Sequence, residues 1–280
     1  MIRSDYNDGR KHIHVLSFGA GTQSSAMLIK ALRGEFDGVI PDHIIFADTG
    51  WEPKHVHDWL EKMQGVAKQY GKEIIIARNG NIRDDILRSF ETGERAASLP
   101  LYTKDDDDEG IIRRQCTMEY KITPIEKTVR QLLGYQKGER VKEIVHMWKG
   151  ISTDEVQRVK SSQKGWIVNE HPFIFDQPRN RSECIAFVER EGLGTPPKSS
   201  CIGCPYHNDL AWKEIKDNQP DEWADAVAFD KAIRKHPRFK SDTFLHKSRV
   251  PLDEVDFNED QMSIFNVDDF DNECAGMCGI

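Results

Sequence analysis

The chain has 280 residues and a formal net charge of −8, enough length for one large domain with an appendage and too acidic for a surface that is basic all over. No run approaches the roughly 18 apolar residues of a membrane-spanning helix. The first eight residues carry no apolar signal region, so a cytoplasmic location is expected.

Taken in chain order, residues 13–18, 43–48 and 73–77 predict three short buried strands. Helical patterns over about 22–34 and 53–70 separate them, the second striped by Trp59, Leu60, Met63, Val66 and Ala67. Residues 91–110 predict a polar loop with an acid run at 105–109, solvated or acting as a lid. A helix is expected over about 117–134, a fourth strand within 141–150 and a fifth at 171–175. Further helices are expected at 180–192, 208–217 and 220–235. Residues 237–280 read as a polar, extended tail. Strands alternating with helices predict an α/β fold, a doubly wound parallel sheet with right-handed crossovers. Ligands in such sheets sit beyond the carboxyl ends of the strands.

The first strand runs into Ser17-Phe18-Gly19-Ala20-Gly21-Thr22-Gln23-Ser24-Ser25, and a helix follows. Strand, small-residue loop and helix aim backbone N–H groups at a phosphate, and the hydroxyls add donors. The loop matches neither the Walker nor the dinucleotide fingerprint. Asp48-Thr49-Gly50 ends the second strand, where Asp48 either meets a ligand or caps a turn. Arg113, Arg114 and Lys121 surround Cys116, a pattern that suits an anion and favours thiolate, or else an exposed basic turn. Gly150 precedes Glu155 and Arg158, which are spaced for an ion pair, with Arg158 alternatively an anion contact. Cys201-Ile-Gly-Cys204-Pro205 lies in a breaker-rich loop and suits zinc, an iron–sulfur cluster or a dithiol, with His207 a nearby extra donor. Cys274 and Cys278 sit close to the C-terminal Ile280.

The Ser17–Ser24 loop resembles the pyrophosphate-binding loop (PP-loop) of the adenine nucleotide α-hydrolase superfamily, with Ala20 at the second glycine and Gln23 where many ATP-splitting members carry Asp. Over roughly 12–235 the ordered motifs resemble the phosphoadenosine phosphosulfate reductase family. They comprise the loop, Asp48-Thr49-Gly50, Cys116 with Lys121 and Pro124, Gly150 with Glu155 and Arg158, and Cys201-x-x-Cys204-Pro205. The resemblance implies an adenine nucleotide, ATP or a phosphoadenylyl sulfate, held by Ser17, Phe18, Gly19, Gly21, Thr22, Gln23, Ser24, Asp48, Gly150, Arg113 and Arg114, with Mg2+ as a further candidate. It also implies a [4Fe-4S] cluster. Gln115-Cys116 replaces the adjacent cysteine pair of the adenylyl sulfate reductases, so the expected ligands are Cys116, Cys201 and Cys204, with Cys184 fourth. The alternative is an iron left open, as in PP-loop enzymes that thiolate tRNA.

Two domains are expected, a nucleotide-binding unit over 1–235 that includes Cys201 and Cys204, and a tail over 236–280 carrying Cys274 and Cys278. The leading functional expectation is a reductase-like enzyme in which Cys274 and Cys278 act as mobile thiols, with Lys121 and Arg158 at the reacting anion. The alternatives are an ATP-dependent sulfurtransferase acting on a nucleobase of tRNA or DNA, and a non-catalytic nucleotide-binding subunit. Expected partners are the nucleotide, a thioredoxin-like electron donor or a sulfur donor, and a second copy of the chain. The net charge disfavours nucleic acid, and no membrane is implied.

Overall fold

β1 (His12–Phe18) alternates the faces it buries. Ile13 and Val15 turn to one side of the sheet, Leu16 and Phe18 to the other. A strand buried on both faces belongs inside a parallel sheet covered by helices. The computed structural model describes residues 2–257 apart from Ser4, Ala97, Asp107 and Phe239. After β1 come α1 (Thr22–Leu32), β2 (His43–Asp48), α2 (Lys54–Gln69), β3 (Ile74–Arg78) and α3 (Ile82–Thr92). Next are β4 (Tyr102–Lys104), β5 (Glu109–Ile111), a π-helical turn at Met118–Ile122 and α4 (Thr123–Leu132). Then follow β6 (Ile144–Lys149), a 3-10 segment at Thr153–Arg158, β7 (Ile167–Glu170), α5 (Pro172–Phe175) and α6 (Arg181–Arg190). α7 (Asp209–Asn218), α8 (Pro220–Ala232) and β8 (Asp242–Phe244) complete the described elements, with a last 3-10 turn at Leu252–Glu254.

The main sheet is parallel throughout, in the order β3-β2-β1-β6-β7. The chain winds outward from β1 in one direction and resumes on its other side with β6. The carboxyl ends of β1 and β6 therefore flank the topological switch point, where a doubly wound sheet opens a crevice. One face packs Leu16, Phe18, Phe46 and Trp148 against apolar side chains of α1, α2 and α6. The other packs Val15, Ile45, Val145 and Met147 against Ile125 and Val129 of α4. Helix boundaries follow local chemistry. Asn81 caps α3 by accepting from the N–H groups of Arg83 (3.0 Å) and Asp84 (3.3 Å), and Gly93 ends it with φ +73°. Asn180 and Glu183 form a reciprocal capping box on α6.

A second core lies beside the sheet. It gathers Trp51, Ile82, Ile86, Phe90, Leu101, Trp212, Phe229, Leu245 and Leu252 from α3, α7, α8 and the segments around them. Three expectations change here. The polar loop over 91–110 contains a hairpin, β4 paired with β5, and Asp105 and Asp108 meet between its strands: the Asp108 N–H donates to Asp105 Oδ1 at 2.8 Å. Residues 236–257 are not an extended tail, because β8 pairs with β4 and Leu245, Leu252, Val255 and Phe257 are buried in the second core. The strand expected at 171–175 falls earlier, at β7. Pro172 has no N–H to donate to a ladder and instead opens the short α5. No helix of the described residues is long and apolar enough to cross a membrane.

Candidate functional site

At the switch point, the end of β1 turns through Gly19-Ala20-Gly21 into α1. Ala20 takes φ +52°, a left-handed conformation that costs a non-glycine residue roughly 1–2 kcal/mol. Gly21 is the N-cap of α1; its N–H donates to Ser24 Oγ at 3.1 Å, and its carbonyl accepts from Ser25 Oγ at 2.7 Å. Trp59 Nε1 holds Ser25 Oγ from α2 at 2.8 Å. The first turn of α1 carries no acidic side chain, so its positive end suits an anion.

A crevice lies over this helix start. Ser17, Gly19, Gly21, Thr22, Gln23 and Ser24 line one wall, and Gly150, Ile151, Glu155 and Arg158 another. Arg181 and the run Pro197 to Ser200 complete it. Three cationic side chains, Arg158, Arg181 and Lys198, thus border a loop rich in backbone and hydroxyl donors. Thr22 Oγ1 is buried there without a hydrogen-bond partner. Gly150 is set by close approach, since a Cβ would lie 2.8 Å from the Ser24 nitrogen. Gln23 is committed to the protein, its amide donating to Ser152 Oγ at 3.2 Å and Glu155 Oε2 at 3.0 Å. A neutral amide bound in this way is a poor ligand for a hard cation such as Mg2+.

A second pocket adjoins the first, with Ser200 lining both. Cys116, Cys201 and Cys204 line it, with Thr49, Arg114, Thr117, Lys121 and Tyr206. The Cys201–Cys204 turn closes through Cys204 N–H donating to the Cys201 carbonyl at 3.1 Å, and Ile202 N–H donates to the Trp51 carbonyl at 3.0 Å. At Gly203 a Cβ would fall 2.0 Å from Trp51 Cη2, so only glycine lets the turn lie against that indole. Arg114 sits over the Tyr206 ring at 5.5 Å and donates to Thr117 Oγ1. Burial pushes the Cys204 thiol up and the Cys201 thiol well up; Glu52 adds to the effect on Cys201 and Lys121 opposes it. Burial pulls the Lys121 ammonium down, but Glu52 and the neighbouring sulfurs outweigh that and the net shift is upward.

Not every expected residue is brought to these pockets. Cys184 faces the main core from α6, fully buried among the side chains of α1 and the sheet, and burial pushes its thiol up to about 12. The apolar stripe of its helix puts it on the wrong surface to join the other three cysteines. Phe18 is also a core side chain, 6.4 Å centroid to centroid from Phe46. Asp48 is spent locally: it accepts from the Gly50 N–H at 2.7 Å and pairs with Arg78. Arg113 is exposed and lines neither pocket, its carbonyl accepting from Ser98 Oγ. His207 is buried, donates from Nε2 to the Cys201 carbonyl at 3.0 Å and packs edgewise on Trp212. Burial lowers its pKa to about 4, which marks a packed imidazole. Cys274 and Cys278 lie outside the described residues. Sequence reasoning missed Arg181, Lys198, Ser199, Ser200 and Glu52. The Lys-Ser-Ser run directly before Cys201 was the available signal.

Among the described residues, no three His, Cys, Asp or Glu side chains are gathered closely enough to grip one metal ion. Cys116, Cys201 and Cys204 line one pocket, and three thiols are a donor set that suits an iron–sulfur cluster.

No family model matches the chain. A stretch of 65 residues is 31% identical to sulfate adenylyltransferase subunit 2 of Photorhabdus laumondii, covering 23% of this chain and 20% of that protein. The same subunit of Serratia proteamaculans matches at the same identity and coverage. The chain therefore spans about a fifth of the length of these curated relatives. A solved structure of a U34-tRNA thiolase from Methanococcus maripaludis with its [4Fe-4S] cluster is 15% identical, with a TM-score of 0.39 over 81% of this chain and 74% of that one. The similarity to the adenylyltransferase subunit supports the PP-loop superfamily and does not single out the reductase family.

Proposed function

We propose that the chain is an ATP-dependent sulfurtransferase, with the nucleotide phosphates over the start of α1 and sulfur handled in the adjoining thiol pocket. The observation that carries this reading is the shared wall: Ser200 faces both pockets, and Cys201 follows it directly. A second observation favours transfer over the reductase reading. Among the described residues, three cysteines line the pocket, and Cys184 lies in the core.

In this reading the backbone N–H groups of α1 and the Ser17, Thr22 and Ser24 hydroxyls hold the phosphates. Arg158, Arg181 and Lys198 neutralise charge as pyrophosphate leaves. The acceptor is a carbonyl oxygen, on a nucleobase in our proposal. It attacks the α-phosphorus of ATP, giving an O-adenylylated acceptor and pyrophosphate. A hydrosulfide then attacks the carbon of that carbonyl, the C–O bond breaks, AMP departs with the oxygen, and loss of the S–H proton leaves the thiocarbonyl. Cys116, Cys201 and Cys204 would hold a [4Fe-4S] cluster, which supplies a soft Lewis-acid centre for sulfur when bound. Lys121 offers the buried positive charge that an anionic sulfur species requires.

The second reading keeps the reductase. It rests on Cys274 or Cys278 as a thiolate attacking the sulfur of an adenylyl sulfate, releasing the adenosine phosphate and leaving S-sulfocysteine for a dithiol reductant. One anaerobic assay separates the two. Given ATP, a sulfide donor and a nucleobase acceptor, the transferase releases AMP and pyrophosphate. Sulfite release from adenylyl sulfate plus a dithiol, with no AMP formed from ATP, would overturn the first reading. If no adenine nucleotide binds, both fail.

A further inference from the structure

Glu52 lies four residues beyond the end of β2, behind the residues that line the two pockets. Its side chain is 1% exposed. One oxygen, Oε1, gathers three groups: Thr49 Oγ1 donates at 2.9 Å, Cys201 Sγ lies at 3.8 Å and Lys121 Nζ at 3.9 Å. Thr49 Oγ1 is also 3.2 Å from Cys201 Sγ, closing a triangle of hydroxyl, thiol and carboxylate. The other oxygen, Oε2, is buried with no hydrogen-bond partner. The preceding residue, Trp51, is fastened to the cysteine turn by its carbonyl and by its ring against Gly203. Glu52 is thereby placed on the segment that touches the turn from outside.

We propose that Glu52 is a positioning residue that fixes the Lys121 ammonium relative to the Cys201 sulfur, so that the ammonium faces the sulfur species entering the thiol pocket. The inference rests on the sulfur-handling reading of that pocket. Three arguments support it. Lysine is long and rotamer-rich, so a directed ammonium needs an anchor. A buried ammonium needs an opposite charge, and the Glu52 carboxylate lies within ion-pair distance of Lys121. A carboxylate present only to neutralise that ammonium would be expected to engage both oxygens, whereas here one oxygen takes every contact and the other is left without a partner.

The test uses the full-length chain, prepared anaerobically and reconstituted with iron and sulfide, as wild type, Glu52→Gln and Glu52→Asp. Lys121 acylation in the metal-free chain is read by peptide mass spectrometry. The loaded chains are compared by iron content and by their visible and electron paramagnetic spectra. Expected for Glu52→Gln are an unchanged nucleotide affinity, Lys121 acylated about tenfold faster as it leaves its buried site, and a shifted cluster spectrum. Glu52→Asp should recover part of both changes. Unchanged Lys121 labelling in Glu52→Gln overturns the proposal. If Glu52→Gln fails to fold, the pair Glu52→Gln with Lys121→Met removes both charges together. A wild-type cluster spectrum in that double variant makes the pair merely structural and overturns the proposal, whereas a shifted spectrum supports it. If wild type itself takes up no iron, the functional reading fails, while Lys121 labelling still decides the role of Glu52.

Discussion

The Ser199 hydroxyl donates to the carbonyl oxygen of Gly19, joining the loop that carries Cys201 to the loop that turns into α1. Ser200, the next residue, faces both pockets. A change in either pocket therefore acts on a backbone that the other shares, and such coupling is reciprocal. Loading the thiol pocket with iron should change adenine nucleotide affinity by about fivefold or more, the lower range of measured couplings. Ser199→Ala should reduce that factor. Titration calorimetry on loaded and unloaded chains reads both; equal affinities in the two states would rule the coupling out.

Gly150 is a second point of contact between elements. A Cβ there would stand 2.8 Å from the Ser24 nitrogen and 3.0 Å from its Cα, backbone atoms that cannot step aside cheaply. Gly150→Ala should push β6 away from the start of α1 and weaken nucleotide binding about five- to 150-fold, the effect of overpacking by about 1–3 kcal/mol. Gly21→Val should act similarly through Ser199, whose Cβ would be 3.2 Å from the added carbon. Far-ultraviolet circular dichroism should be unchanged in both. Nucleotide binding at wild-type strength in Gly150→Ala would remove this glycine from the site.

The cysteines should separate into two groups. Cys184→Ala removes a sulfur from a fully buried position and should cost about 1–2 kcal/mol of stability through the small cavity it leaves. Its iron content after reconstitution should match wild type. Cys116→Ala, Cys201→Ala and Cys204→Ala should each lose most of the iron. Loss of iron in Cys184→Ala, with the fold intact by thermal denaturation, would restore Cys184 as a ligand.

Acid should destabilise the fold through two buried histidines, His14 on β1 and His171 at the N-cap of α5. Burial, aided by the nearby His146, lowers the His14 pKa to about 4, and its Nδ1 accepts a hydrogen bond from Trp148 Nε1 at 3.0 Å. Burial, aided by Lys149, lowers the His171 pKa to about 4 as well, and its Nε2 is buried without a partner. Both are neutral in the fold and protonate near pH 6.5 once unfolded. The unfolded chain binds more protons in that window, so stability falls as pH drops from about 6.5 to about 4, on the order of 2 kcal/mol per group. Urea unfolding at several pH values should show this slope, and it should flatten in His14→Gln. Constant or rising stability through the window would contradict the assignment.

The main sheet was readable because its strands are continuous apolar runs broken by glycine, and because β1, its loop and α1 are consecutive. Proximity across long sequence gaps was not. Cys184 and Cys201 look like neighbours in sequence, but α6 turns Cys184 into the main core while the following loop carries Cys201 to the far side of Ser200. α3 escaped notice although Asn81 and Gly93 mark its two ends. β4, β5 and β8 are three residues each, too short for an alternating pattern, and β8 is recognisable only beside β4. Glu52 looked like an ordinary residue before Pro53. Its significance comes from Lys121 and Cys201, brought to it by different segments.

Trp51 packs its ring on Gly203, between the two pocket cysteines, and anchors its Nε1 on Asp225 at 2.6 Å. Its emission is thus sensitive to what sits at that turn. An iron–sulfur cluster absorbs broadly where indoles emit and would quench Trp51 before more distant tryptophans. Of the six tryptophans in the chain, Trp148 is fully buried in the main core, on another part of the molecule. Fluorescence lifetimes, with Trp51→Phe as the blank, therefore make the molecule its own optical gauge of pocket occupancy, without any added label.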